Sequence, residues 1–150
     1  CGTAMKNLDE ARAGMGWYAT GLAQRAMEEA IDYTKERGQC GKPVLKNQAL
    51  QFKGADMAIK IETARQMVAH SLTLMDKGLP FTKESAIAKC YASDIAMEVA
   101  SEAIQMFGGY GYSREYPVEK LLRDAKIFQI FEGTNEVQRI VVANNTIGKF

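Results

Sequence analysis

The feature that most constrains the fold is a helical period in the apolar residues, which recurs in three long segments. Within each segment, apolar side chains follow one another at steps of three or four residues, so they share one face of a helix. No comparable run has the period of two that is typical of strands. The apolar positions are Leu8, Ala11, Met15, Tyr18, Leu22, Ala26, Ala30 and Tyr33, then Met57, Ile61, Ala64, Val68, Leu72 and Met75, then Ala88, Ala92, Ile95, Val99, Ala103 and Met106.

Glycine and proline mark the ends of these predicted helices. Breaks follow the three segments at Gly38, Gly41 and Pro43, at Gly78 and Pro80, and at Gly108, Gly109 and Gly111. Thr82, with Glu84 in the next turn, is expected to start the third helix. Pro117 is placed to open a short fourth helix, and Gly133 and Thr134 precede a last one. Because short loops join antiparallel neighbours, we predict an all-α fold, an antiparallel helix bundle.

Composition narrows the class of protein. The chain has 150 residues with Lys+Arg 19 and Asp+Glu 18, a net charge of +1. This balance gives no electrostatic attraction to nucleic acid or to an anionic membrane, and no apolar run approaches the ~20 residues of a membrane helix. Cys1, Cys40 and Cys90 are too widely spaced to indicate a disulfide framework or a metal site. We therefore expect one globular domain without a nucleic-acid partner, a bound metal or a membrane span.

Glu132 is the residue whose sequence surroundings suggest chemistry. It is the only acid between Asp124 and Glu136, and its neighbours include Ile130 and Phe131. Burial beside such side chains disfavours the charged form of a carboxylate, which is how proteins prepare a general base. Glu132 also lies just before a predicted helix, whose dipole favours the anion, so a helix-capping acid is the other interpretation. The sequence leaves both open.

Two other features favour structural explanations. The glycines at 108, 109 and 111 follow a predicted helix rather than a strand, which is typical of a C-terminal cap and turn and not of a dinucleotide loop. His70 has no second histidine at the spacing of a metal site, so a packed or surface histidine is the favoured interpretation.

Three motifs in order carry a resemblance to a known family. They are Tyr33 and Arg37 followed by Gly41, Pro43 and Gln48; Gln105 followed by Gly108, Gly109 and Gly111; and residues 115–134, EYPVEKLLRDAKIFQIFEGT. With these motifs the chain resembles the acyl-CoA dehydrogenases, especially the medium- and short-chain members, along essentially its whole length. The resemblance implies that residues 1–150 are the C-terminal helical domain of a larger flavoenzyme, without its N-terminal helical and middle β-domains. A start at Cys1 rather than Met agrees with a cut inside a longer protein.

The resemblance also implies roles for single residues. Glu132 matches the family's catalytic base, in the position used by the straight-chain enzymes. The implied FAD contacts are Arg37, Gln48, Gln105, Gly109, Thr134 and Glu136, and the implied acyl-CoA contacts are Asp9, Arg12, Glu132 and Gly133. Arg37 would meet the pyrophosphate of a neighbouring subunit's FAD, since its planar fork suits phosphate oxygens. Cys40 replaces an aromatic residue that is usual in the family, and Gln39 replaces a small polar one.

The implied activity is FAD-dependent α,β-dehydrogenation of an acyl-CoA thioester to a trans-2-enoyl-CoA. Glu132 would remove the α-proton, and its backbone N–H would donate to the thioester oxygen as charge develops there. The implied partners are the acyl-CoA substrate, an electron-transfer flavoprotein and further copies in a dimer or tetramer. Alternatives are that the isolated chain is an inactive helical oligomerisation module, or that it belongs to a related acyl-CoA oxidase. The expected location is the cytoplasm of a bacterium or the mitochondrial matrix of a eukaryote.

Overall fold

Three long helices form the body of the fold. The computed structural model describes residues 2–148, with side chains from residue 7 onward. Helix α1 (Gly2–Glu36) runs antiparallel to α2 (Gln48–Asp76), and α2 runs antiparallel to α3 (Thr82–Phe107). Two shorter helices, α4 (Val118–Phe128) and α5 (Asn135–Thr146), pack against α3. The predicted all-α bundle is therefore confirmed. Among residues 2–148, no helix combines the length and the apolar character that crossing a bilayer requires.

A small hairpin after α1 is absent from the sequence prediction. Strand β1 (Gly38–Gln39) pairs antiparallel with β2 (Lys42–Pro43), so the loop is Cys40–Gly41. Both loop residues have positive φ, 52° and 76°, as a type I′ turn requires. Strands this short cannot show an alternating pattern, which is why the sequence indicated only a break here. Short 3₁₀ helices follow at Val44–Lys46 and, after α3, at Gly108–Tyr112.

Helix boundaries follow the predicted punctuation. Helix α3 begins at Thr82 as expected, with Phe81 at the N-cap position, and the Thr82 hydroxyl donates to Asp9 Oδ2 at 2.5 Å. That bond ties the start of α3 to α1. Pro117 precedes α4 as expected, and the Thr134 hydroxyl caps α5 by accepting from the Val137 N–H at 3.3 Å.

The core is rich in alanine, which lets α1 and α3 approach closely. Ala19, Ala23, Ala26 and Ala30 line α1 and are fully buried. A Cβ on Gly16 would lie 2.9 Å from Val68 Cγ2 and 3.3 Å from the Ala88 carbonyl, so no larger residue fits there. Tyr18, which the sequence places in the apolar stripe, is 63% exposed. Near Tyr18 the buried position is therefore the next residue, Ala19, whereas Ala26 and Ala30 of the predicted stripe are buried as expected.

Candidate functional site

The predicted site residues lie in two groups at opposite ends of α3. Asp9, Arg12 and residues 132–136 lie near its first turns, and the other group lies near its last turn. Because a helix rises about 1.5 Å per residue, the stretch of α3 between Lys89 and Gln105 spans about 24 Å. The structure therefore brings the predicted substrate contacts together, and separates them from Arg37 and its neighbours.

Glu132 lies in a loop of unusual backbone conformation. This segment, residues 129–134, joins α4 to α5 and is called the Glu132 loop below. Glu132 has φ +55° and Gly133 has φ +88°. A Cβ on Gly133 would lie 2.8 Å from Gln138 Nε2, so glycine is required there on both counts.

The Glu132 carboxylate is exposed in this chain, so its apolar neighbours do not bury it. Ile130 is itself exposed and Phe131 is half-buried. The capping interpretation is wrong, because Thr134 supplies the cap of α5. A role as catalytic base stays a prediction, and an exposed carboxylate on a fixed loop is accessible to a substrate.

A buried polar network beneath the Glu132 loop was missed by the sequence analysis. Lys89 Nζ donates to the Gly133 carbonyl oxygen and to Asn135 Oδ1, each at 2.8 Å. Asn135 Nδ2 donates to Ser93 Oγ at 2.8 Å and to Asp94 Oδ1 at 2.7 Å. Lys89 and Ser93 lie four residues apart on the alanine-rich face of α3. Polar residues at helical spacing within an apolar stripe were therefore the sequence signal that could have indicated this network.

Asp94 joins α3 to the Glu132 loop and to α5. Its Oδ1 accepts from Gln129 Nε2 at 2.8 Å, and its Oδ2 accepts from Arg139 NH2 at 2.8 Å. The hydrogen bond and charge of Asp94 raise the pKa of Arg139. These contacts hold the two ends of the Glu132 loop against the body of the bundle.

Asp9 and Arg12, the predicted acyl-CoA contacts, form a buried ion pair. Arg12 NH1 donates to Asp9 Oδ1 at 2.9 Å, and both side chains are nearly inaccessible. The other carboxylate oxygen accepts from Thr82. The Nε of Arg12 is buried without a hydrogen-bond partner among the described residues. In this chain the pair links α1 to α3, and contact with acyl-CoA stays a prediction.

The second group, which includes Arg37, lies at the other end of the bundle. Gln48, Gln105 and Gly109 are all exposed there, as is Arg37 itself. Arg37 NH1 donates to Tyr33 Oη at 2.7 Å, and the guanidinium carbon lies 5.4 Å from the centre of the Tyr110 ring.

An aromatic cluster holds Arg37 from below. The Tyr33 ring stacks on Phe107 with centroids 4.0 Å apart, and Tyr116 meets both rings edge-on. A cation over aromatic faces is attracted by the negative charge of the ring face. This arrangement leaves a planar cation presented at the surface.

Within residues 2–148, no group of three or more His, Cys, Asp or Glu side chains is placed to hold a metal ion. His70 lies exposed on α2, in agreement with the surface interpretation.

Comparison with known proteins assigns the chain to a family. The family model described as the C-terminal domain of acyl-CoA dehydrogenase matches residues 1–147. The chain belongs to the acyl-CoA dehydrogenase family. The resemblance seen in the sequence motifs is thereby confirmed.

Individual relatives agree with this assignment. The short-chain specific acyl-CoA dehydrogenase of Megasphaera elsdenii is 53% identical over 138 residues, covering 92% of this chain and 36% of that protein. The structure of butyryl-CoA dehydrogenase from Megasphaera elsdenii matches with TM-score 0.94 and 51% identity, over 96% of this chain and 38% of that chain. A chain in the structure of the electron transferring flavoprotein of Acidaminococcus fermentans matches with TM-score 0.95 and 50% identity, over 97% and 38%. The chain thus spans a little over a third of the length of the relatives it matches.

The glycine block that the acyl-CoA dehydrogenase resemblance singled out serves two purposes. Gly108 has φ +67° and ends α3, while a Cβ on Gly109 would meet nothing within 4 Å. A Cβ on Gly111 would lie 2.7 Å from Phe107 Cβ and 2.8 Å from the Ile104 carbonyl oxygen. Gly111 is therefore required by packing, and Gly109 leaves its backbone open to a ligand.

This difference predicts opposite results for two matched substitutions. Gly111→Ala forces a methyl group against backbone that cannot move aside, and should destabilise the chain by about 1–3 kcal/mol. Gly109→Ala should change the free energy of unfolding by less than about 0.5 kcal/mol, as exposed substitutions usually do. Urea unfolding followed by circular dichroism measures both. Equal effects at the two positions would show that the tight contact at Gly111 is not what requires glycine.

Proposed function

We propose that this chain carries the catalytic base of an FAD-dependent acyl-CoA dehydrogenase, which converts an acyl-CoA thioester to a trans-2-enoyl-CoA. The observation that carries the proposal is the exposed Glu132 carboxylate on a loop fixed in a left-handed conformation, in a domain of this family. Strained backbone at one polar residue is a feature of functional sites, because the surrounding structure must hold it there.

Glu132 would supply two functions in this reaction. Its carboxylate would accept the α-proton of the substrate as general base. Its backbone N–H is the donor of no hydrogen bond described for residues 2–148, and can therefore donate to the thioester oxygen. A hydrogen bond at the atom where negative charge develops stabilises the transition state more than the ground state.

The residues around Arg37 fit the phosphates of FAD. The guanidinium of Arg37 is exposed and oriented by Tyr33, and the open backbone at Gly109 allows close approach of an anion. Gln48 and Gln105 add exposed amide groups at the same end. The chemistry supplied by a bound FAD would be acceptance of the hydride from the β-carbon of the substrate.

The separation of the two groups supports an oligomeric enzyme. Thr134 and Glu136 lie beside Glu132, whereas Arg37 lies near the other end of α3, and the stretch of α3 between Lys89 and Gln105 rises about 24 Å. We propose that the two ends serve two different FAD molecules, as in a dimer or tetramer in which neighbouring copies complete each site. Exposed apolar side chains, including Tyr18, Ile59 and Ile140, are available to such contacts.

An electron-transfer flavoprotein is the proposed electron acceptor. Its support is the family assignment together with the matching chain in the Acidaminococcus fermentans electron transferring flavoprotein structure. An acyl-CoA oxidase would instead pass electrons to oxygen, so oxygen consumption during turnover separates the two. We propose the bacterial cytoplasm or the mitochondrial matrix as the location, according to the source of the gene.

A fusion protein tests the function directly. The remainder of the Megasphaera elsdenii short-chain relative would be joined to this chain in place of its own C-terminal third. We expect the fusion to bind FAD with a visible flavin band, and butyryl-CoA or octanoyl-CoA to bleach that band without oxygen consumption. The isolated chain, mixed with FAD and then separated from unbound FAD by gel filtration, should carry no flavin band, because it would be an assembly module on its own.

The control is the same remainder of the relative without this chain, which should not be bleached. A fusion that folds and binds FAD but is bleached by neither substrate would overturn the proposed activity. A flavin band on the isolated chain would overturn the assembly-module description.

A further inference from the structure

The backbone of the Glu132 loop is held in a conformation that L-residues disfavour. Glu132 and Gly133 both have positive φ, at 55° and 88°. For Glu132 this brings Cβ close to the following carbonyl, and such residues persist only where their surroundings fix them. The contacts that fix the loop therefore also fix the point from which the Glu132 carboxylate projects.

Two buried side chains donate hydrogen bonds to the carbonyl groups of these residues. Gln138 Nε2, on α5, donates to the Glu132 carbonyl at 3.2 Å and to the Gly133 carbonyl at 2.9 Å. Lys89 Nζ, on α3, donates to the Gly133 carbonyl at 2.8 Å. Both side chains are 0% exposed. These hydrogen bonds thus join the Glu132 loop to both α3 and α5.

A lysine at position 89 is energetically costly if its only role is to fill space in the core. Burial lowers the pKa of its ammonium group, and the charge of Arg12 adds to this, while Cys90, Asp94 and Glu136 act in the opposite direction. No carboxylate lies within ion-pair distance of Lys89 in residues 2–148. A buried ammonium without an ionic partner costs free energy, and an apolar side chain of similar size would not. We therefore attribute the presence of lysine at this position to the hydrogen bonds that its ammonium group donates.

We propose that Lys89 is a positioning residue for the dehydrogenation reaction, because it holds the Gly133 carbonyl and thereby fixes the orientation of the Glu132 carboxylate. The inference rests on the proposed role of Glu132 as base. Proton transfer requires the base within hydrogen-bond reach of the α-carbon proton, so a loosened loop lowers the rate without removing the base. Lys89 is buried, so it acts through the backbone and not on the substrate.

The test uses Lys89→Met, which should still fold. The Gly133 carbonyl keeps its bond from Gln138 Nε2, and Asn135 Oδ1 lies 3.2 Å from Ser93 Oγ, whose single hydroxyl hydrogen also faces the Lys89 carbonyl oxygen at 2.7 Å. The Gly133 carbonyl therefore retains a donor, and methionine fills a similar volume. The matched control is Lys120→Met, which removes an exposed lysine that faces Asp124 on α4.

Amide hydrogen exchange in this chain reports on the loop without any cofactor. The Asn135 N–H donates to the Gln129 carbonyl at 3.0 Å, a bond that closes the Glu132 loop. In Lys89→Met this amide should exchange about tenfold faster or more, as expected when a charge-assisted hydrogen bond is lost. Amides in the middle of α3, and all amides in Lys120→Met, should change by less than about twofold.

Kinetics of the fusion protein supply the second readout. Lys89→Met should lower kcat about tenfold and leave KM for butyryl-CoA unchanged, since only placement of the base is altered. Unchanged exchange at Asn135 overturns the proposal, as does faster exchange spread over the whole of α3, which would mean a general stabilising role. An equal rise in KM would also overturn it. If the unaltered fusion is inactive, the proposed function fails, while the exchange result still decides whether Lys89 fixes the loop.

Discussion

Replacing Glu132 by glutamine should reduce acyl-CoA oxidation by the fusion protein by about 10²–10⁴-fold, the usual contribution of a general base. Glutamine has nearly the same shape and keeps the backbone N–H, but it cannot accept a proton. FAD and acyl-CoA binding should therefore persist, because neither depends on the charge of this side chain. The rate of flavin bleaching in stopped flow measures the chemical step, and spectral titration with the substrate measures binding.

The matched control is Glu115→Gln, which neutralises an exposed acid whose N–H bonds to Ser113 before α4 begins. Its kcat should stay within about twofold of the unaltered protein, as for other surface changes. Glu132→Asp is a second check, because it keeps the charge and shortens the side chain. Its kcat should lie between the values for Glu132→Gln and Glu115→Gln. Near-normal bleaching by Glu132→Gln would place the base on another residue. Loss of FAD together with activity would instead reveal a structural role.

The helices were predictable from the sequence because their pattern is local. A stripe at steps of three or four residues records which side faces the core, and glycine and proline record where a helix must end. The same logic fails for the hairpin at residues 38–43, since two-residue strands carry no period. It also fails for Tyr18, which is exposed while its neighbour Ala19 is buried. In an alanine-rich helix, two adjacent rows of side chains are both apolar enough to face the core.

The candidate site was only partly predictable, since its contacts join distant positions. The motif around Glu132 marked the loop, but exposure of the carboxylate depends on how α4 and α5 pack, which no local pattern states. Lys89 and Asn135 are 46 positions apart, and only the fold shows that they meet. The start of α3 at Thr82 was predictable, but the hydrogen bond from Thr82 to Asp9 was not, because Asp9 lies on another helix.

Phe107→Ala is the substitution expected to destabilise the chain most. Phe107 is 1% exposed, stacks on Tyr33 and meets Tyr116 at a centroid distance of 5.3 Å. Truncating a buried phenylalanine to alanine removes its transfer free energy and leaves a cavity, at a cost of about 3–5 kcal/mol. Since domains are stable by about 5–15 kcal/mol, the variant should remain folded at 25 °C with a clearly lower urea midpoint.

The same substitution connects stability to the cofactor end of the bundle. Tyr33 rests on Phe107 and accepts the hydrogen bond from Arg37, so removing the ring beneath it should also loosen the guanidinium. Phe52→Ala is the matched control, because Phe52 is 60% exposed and should cost less than about 0.5 kcal/mol. Urea unfolding by circular dichroism compares the free energies, and FAD affinity of the fusion protein reports on Arg37. If Phe107→Ala lowered the free energy of unfolding no more than Phe52→Ala, the aromatic cluster would not stabilise the fold. The orientation of Arg37 would then depend on other contacts.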